Sequence, residues 1–232
     1  MIAVCTTIAT FAMAEHGTWG YWLDTAEQLR DQSPVPVAFF AAIEIDVRGI
    51  HPFRPLLDRL AQLNGDHWRF LLDDGRTSVT TANRLRHITA GQNLCSDYAT
   101  AAGATHMLFL AADCRPPADA IPKLLEVDWP IVGGEVPTYC LSGPPVDRYP
   151  FPVEQHMATA AFILIARPVF KQLKWRWDAD LEMSDDPCFH HDAIELLDTV
   201  TLVRKDCIGQ HYPEAIGAIE TRRPGRDMTV YR

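Results

Sequence analysis

Long apolar runs are missing from this sequence, and none approaches the roughly 18 residues that a helix needs to cross a bilayer. No membrane partner is therefore expected. Positive charge is also scarce: 21 Lys and Arg stand against 30 Asp and Glu, a formal net charge of −9. That argues against a general nucleic-acid binder, which carries a basic face, although Arg222, Arg223 and Arg226 form one local basic group. Paired cysteines are absent as well. Cys5, Cys95, Cys114, Cys140, Cys188 and Cys207 are scattered with no Cys-x-x-Cys spacing. The even count permits disulfides, but a chain of this size is not a small secreted scaffold, and free thiols in a reducing, cytoplasmic setting are the better reading. Finally, no basic residue precedes the apolar stretch Ile2–Ala14, and Thr6, Thr7 and Thr10 interrupt it. It reads as a first β-strand rather than a secretion signal.

What is present is core-forming material. At 232 residues, 47% hydrophobic and 22% charged, the chain fits one globular domain over residues 1–232. Short apolar runs predict strands at Ile2–Ile8, Val37–Ile45, Trp68–Leu72, Met107–Ala112, Ile131–Val136, Ala160–Ala166 and Thr201–Val203. Helical patterns fall between them at Trp19–Asp31, Pro52–Leu63, Thr81–Ala102, Ala118–Glu126, Pro168–Leu173 and Pro187–Leu197. Alternation of this kind predicts an α/β, Rossmann-like fold with a mostly parallel central sheet flanked by helices. The stretch Val136–Met157 breaks the rhythm with five prolines and with Tyr139, Tyr149 and Phe151, the composition of a functional or disordered loop.

The apolar run ending at Asp113 carries the clearest chemistry. A carboxylate delivered at the tip of a buried strand suits Mn²⁺ or Mg²⁺, which prefer oxygen ligands and bind beside phosphates. The competing reading makes Asp113 the cap of a helix near Pro117. Asp185 and Asp186 open a helical pattern, where the macrodipole favours acids. If both also face one cleft, their proximity suits a general base. His190 and His191 are adjacent, so on a helix they diverge by about 100° and do not readily grip one ion. His211 follows the last strand and is the natural partner of Asp113 at a metal. Gly133-Gly134 permits a turn or a close approach to a ligand. Gly91-Gln92-Asn93 reads either as a break in the third helix or as a segment facing a ligand.

The order of these elements resembles the GT-A class of nucleotide-sugar glycosyltransferases, in particular the large inverting family that includes cellulose- and chitin-synthase-like enzymes. The match runs from Val4-Cys5-Thr6-Thr7 in the first strand through Arg86 and Gly91-Gln92-Asn93 in a helix. It continues through Leu110-Ala111-Ala112-Asp113 in place of Asp-x-Asp and Asp185-Asp186-Pro-Cys-Phe189 in place of Glu-Asp-x-x-Phe, and it ends at His211. One departure is Ala111, which stands where the family carries the first acid of Asp-x-Asp. The resemblance implies a hexosyltransferase-like enzyme that uses a nucleotide-diphosphate sugar donor. It implies Asp113 and His211 as ligands of Mn²⁺ or Mg²⁺, Asp186 as base and Asp185 as its orienting neighbour. Thr6, Glu44, Asp46, Arg86, Asn93 and Ala112 would bind the nucleotide sugar. Aromatic residues of the proline-rich loop, with Trp175 and Trp177, would form an acceptor wall, against the plainer reading that they are packing residues.

Two other functions compete. Sugar-1-phosphate nucleotidylyltransferases share a similar sheet but carry a basic phosphate loop after the first strand, and Thr6–Gly17 contains no Lys or Arg. A non-catalytic nucleotide-sugar-binding module is the other, kept open by Ala111. The acceptor expected for a transferase is soluble: a protein, a glycan or a modified nucleic acid.

Overall fold

The computed structural model describes residues 1–8, 19–45, 53–70, 81–136, 143–155, 161–178 and 184–211. Ten strands and six helices run through them. The strands are β1 (Ile2–Ile8), β2 (Val37–Glu44), β3 (Asp66–Phe70), β4 (His106–Leu110), β5 (Cys114–Arg115), β6 (Ile131–Glu135), β7 (Val153–Gln155), β8 (Phe162–Ala166), β9 (Leu202–Ile208) and β10 (Gln210–His211). The helices are α1 (Trp19–Gln32), α2 (Arg54–Gln62), α3 (Thr81–Ala101), α4 (Ala120–Glu126), α5 (Arg167–Gln172) and α6 (Asp185–Leu197). Eight strands form one sheet in the order β3-β2-β1-β4-β8-β6-β9-β7. β3, β2, β1 and β4 are parallel, and β8 runs against both β4 and β6. β9 is parallel to β6, and β7 closes the edge antiparallel to β9. This is an α/β architecture with a mostly parallel sheet.

Both faces of the sheet are covered, which is why its strands read as near-continuous apolar runs. Every residue of β1 is buried. Residues of one parity (Ile2, Val4, Phe39, Ala41, Leu108, Leu110) pack against Trp22, Leu23, Ala26 and Leu29 of α1, Leu56 and Leu60 of α2, and Ile121 and Leu124 of α4. The other parity (Ala3, Cys5, Phe40, Ala42, Met107, Phe109) meets Cys95, Tyr98 and Ala99 of α3, Phe170 of α5 and Phe189 of α6. The apolar spacing of α1, at positions i, i+1, i+4 and i+7, is the stripe that one such face requires. Pro55 and Pro168 each sit in the first turn of a helix, where their missing N–H has no intrahelical partner to lose.

Several boundaries differ from the expected ones for identifiable reasons. β4 stops at Leu110 because the Cys114 N–H donates to the Ala111 carbonyl at 3.0 Å, closing a turn that carries Ala112 and Asp113. α4 starts at Ala120 after Asp119, so Asp113 is not its cap. α6 starts two residues before Pro187, which falls in the first turn where no donor is needed. α3 passes through Gly91 without a break. An added Cβ there would lie 2.3 Å from Thr7 Cγ2, so the glycine lets helix and strand touch. Gly134 has a similar role inside β6, where an added Cβ would lie 1.9 Å from the Phe162 ring. It lies within a strand and not at a turn. β9 runs on to Ile208, past the expected end at Val203, because Arg204 is buried among partners of its own.

Candidate functional site

The strand order reverses at β1: the chain winds outward to β2 and β3 by way of α1 and α2, then returns on the other face through α3 to place β4 on the far side of β1. The crevice beyond the carboxyl ends of β1 and β4 is where such sheets take ligands. Thr6 and Thr7 stand at the end of β1, both buried, and neither hydroxyl has a hydrogen-bond partner. Glu44 ends β2 and pairs with Nδ1 of His87 on α3. Asp113 occupies the turn just past β4.

α3 ties these strand ends together because its polar residues occur where the strands finish. His87 reaches Glu44, Gly91 meets Thr7, and Gln92 Nε2 donates to Asp185 Oδ2 at 2.8 Å. Gln92 is 1% exposed and Asp185 8%. Further along, Cys95, Tyr98 and Ala99 turn to apolar packing. Asn93, expected at the nucleotide sugar, instead clamps the chain after α5: its Nδ2 donates to the Trp175 carbonyl at 2.8 Å and its Oδ1 accepts from the Trp175 N–H at 3.0 Å. Arg86 is exposed on the same helix.

β5 and β10 leave the main sheet as a separate antiparallel ribbon, with His211 opposite Cys114 and Gln210 opposite Arg115. The register brings the His211 backbone to within one residue of Asp113. Gly209, on the approach to β10, leaves room for Cys114 Sγ, which an added Cβ would meet at 3.1 Å. Beside the ribbon lies a cleft of about 220 Å³ that includes Arg115, Gln28 and Ile208 in its lining. A groove of about 290 Å³ lies at the opposite ends of the strands, beside His106, Asp128 and Trp129. It is the larger of the two, yet it is remote from the crevice.

Asp185 and Asp186 form the first turn of α6. Farther along this helix, Asp192 accepts two hydrogen bonds from the Arg176 guanidinium, each 2.8 Å, which hold its carboxyl below the usual range. His190 is buried with Nδ1 2.7 Å from Thr201 Oγ1, whereas His191 is exposed, so the two histidines do part company. Trp175 stacks on Phe189 at 4.1 Å and is 3% exposed, a packing residue rather than an acceptor wall. Tyr149 stacks on Phe151 at the β7 edge. Ala112, expected against the donor, is buried in the core. Burial also pushes the Cys5 and Cys188 thiols up and the Cys207 thiol to about 12, so these cysteines stay protonated and are poor nucleophiles.

Asp46, Tyr139 and the C-terminal arginines lie outside the described residues. Thr6, Glu44, Asp113 and the His211 backbone thus lie at or just past strand ends, and Asp185 and Asp186 are tied to α3 through Gln92, five segments in all. Among the described residues no group of three or more His, Cys, Asp or Glu side chains is placed to hold a metal. No helix of the described residues is long and apolar enough to cross a membrane. Sequence reasoning singled out the Gly91-Gln92-Asn93 segment but missed that Gln92 is its member at the acids. The available signal was a polar residue on the buried stripe that also holds Cys95, Ser96 and Ala99.

No family model matches the chain, and neither does any curated protein. Among solved structures it is similar to the crystal structure of a mannose-1-phosphate geranyltransferase from Thermus thermophilus. The two are 11% identical over 91% of this chain and 74% of that one, with a TM-score of 0.42.

Proposed function

We propose that the chain is a metal-dependent GT-A glycosyltransferase, which moves a sugar from a nucleotide-diphosphate donor to a hydroxyl of a soluble acceptor with inversion. What supports this reading is the placement of two acid-bearing segments: the Asp113 turn follows β4, beside the ribbon of β5 and β10, and the Asp185-Asp186 turn is joined through Gln92 to α3, the helix that rests on Thr7 near the end of β1. Asp113, with its carboxylate, and His211, with its imidazole, are the residues that would hold Mn²⁺ or Mg²⁺ beside the donor's diphosphate. Bound there, such an ion supplies Lewis-acid neutralisation of the charge that develops on the leaving diphosphate.

The chain's own groups perform the rest. Asp186 takes the proton of the acceptor hydroxyl as that oxygen forms its bond to the anomeric carbon. The bond from that carbon to the diphosphate breaks on the opposite face, and its electron pair leaves with the nucleoside diphosphate. Asp185, buried and hydrogen-bonded, fixes the turn that carries Asp186. Thr6, Thr7, Glu44 and Arg86 lie at or near the strand ends where the nucleotide would bind.

The test is turnover of UDP-, GDP- and TDP-sugars with Mn²⁺ and with EDTA. Release of a nucleoside diphosphate that EDTA abolishes is expected. Pyrophosphate release from a nucleoside triphosphate and a sugar 1-phosphate would favour the nucleotidylyltransferase instead. Binding without turnover across an acceptor panel would favour a binding module, and no binding at all would overturn the reading.

A further inference from the structure

We propose that Gln92 is a positioning residue for the transfer: it holds Asp185, and through it the first turn of α6, so that Asp186 is aimed at the acceptor. The inference rests on the transferase reading above. An ionised carboxylate only accepts hydrogen bonds, so the amide nitrogen of Gln92 must face Asp185, as its 2.8 Å contact shows. The orientation of the amide is thereby fixed, and its oxygen points elsewhere, buried and without a hydrogen-bond partner. A methionine of similar length would remove that unmet acceptor. Gln92 therefore contributes to the fold chiefly through Asp185.

The platform for this contact is rigid. Gly91 lets α3 rest directly on Thr7 at the end of β1, and the Asn93 clamp on Trp175 fixes the next residue. The later turns of α6 are anchored independently by the Trp175–Phe189 stack and by Arg176 on Asp192. Its first turn is joined to α3 through Gln92. A neutral amide also satisfies the buried carboxylate without cancelling its charge, which an arginine in the same place would do.

The experiment compares wild type with Gln92→Met, Gln92→Asn and the length-swapped pair Gln92→Asn/Asp185→Glu, which moves one methylene across the hydrogen bond. Steady-state kinetics use Mn²⁺ and whichever nucleotide sugar the wild type turns over, and circular dichroism confirms the fold. Gln92→Met and Gln92→Asn should lower kcat by roughly 10²-fold, the cost of an ångström-scale misplacement, with the donor KM unchanged. The swapped pair should recover at least a tenth of wild-type kcat. A merely structural contact would lower the melting temperature without this split in kcat and KM or this rescue. Wild-type kcat in Gln92→Met, or a swapped pair no better than Gln92→Asn, overturns the proposal while the transferase reading stands. If Gln92→Met does not fold, the Gln92→Asn series decides. A wild type that turns over no donor removes the transferase reading, and this proposal with it.

Discussion

Among the described residues, the buried polar clusters around Arg204 and around Gln92 are built on opposite terms. Arg204 donates to both oxygens of Asp206, to Glu126 and to the Lys123 carbonyl at 2.6–3.3 Å, and its guanidinium lies 3.8 Å over the Phe151 ring. Every nitrogen of that guanidinium is occupied. Around Gln92, one hydrogen bond to Asp185 is made, while Gln92 Oε1 and the hydroxyls of Thr6 and Thr7 are buried with none. Unmet buried polar atoms are costly and rare, and each needs a reason. The indole N–H of Trp22 is unmet too, so a single such atom does not mark a site. Around Gln92 such atoms converge from β1 and α3 beside an acidic helix start, at the switch point of the sheet, where the proposed site would use them. The Arg204 cluster spends its polar groups on stability, and the Gln92 cluster keeps some in reserve.

Breaking the satisfied cluster should have the largest effect on stability and none on chemistry. Arg204→Met strands a carbonyl and loses several charge-assisted bonds, but Asp206 and Glu126 are 39% and 58% exposed and regain water. Denaturant unfolding should show a loss of about 2 kcal/mol, with specific activity of the folded protein unchanged. A loss of specific activity would mean that this edge belongs to the site. The opposite perturbation is Gly91→Ala. Helix propensity alone predicts a gain of about 1 kcal/mol. The short, β-branched Thr7 side chain cannot swing clear of the new methyl, and overpacking costs about 1–3 kcal/mol. The variant should be about 1 kcal/mol less stable and should lose activity out of proportion, because α3 and Gln92 move together. A stabilised, fully active Gly91→Ala would contradict the close contact.

The smallest effect concerns Asp192, the acid of α6 that is paired with an arginine. Arg176 holds the folded-state pKa of Asp192 below its ordinary value. The pair therefore stabilises fully above the unfolded carboxyl pKa of about 3.9. That contribution is lost as the pH falls through the depressed folded value. Because Arg176 is 42% exposed, the contribution is screened to about 0.5 kcal/mol. Arg176→Met should thus be slightly less stable than wild type at pH 7, and the difference should shrink as the pH is lowered towards 2, read from melting temperatures at both. A difference that grew on acidification would contradict the direction of the shift.

Much of this fold was legible because a buried parallel sheet writes its strands as apolar runs: β1 agrees to the residue, and α1 and α3 to within one. The two- and three-residue strands β5, β7 and β10 were not, since period-2 patterning needs more positions to register. Asp113, Asp185 and Asp186 were legible as acids at element ends. The role of Asn93 was not, because hydrogen bonds to the Trp175 backbone depend on how α3 meets a segment 82 positions away. Gln92 was hidden for the same reason. Its partner is 93 positions distant: the stripe it shares with Cys95, Ser96 and Ala99 marks it as buried, but nothing in local sequence names the acid it meets.

The most direct test of the Asp113–His211 site is calorimetric titration of UDP and GDP into wild type and Asp113→Ala, with Mn²⁺ and with EDTA. Wild type should bind one of the two nucleotides only when Mn²⁺ is present, and Asp113→Ala, folded by circular dichroism, should bind it at least tenfold more weakly, about 1.4 kcal/mol. Equal affinity in the two proteins, or binding indifferent to EDTA, would contradict a metal held at the tip of β4.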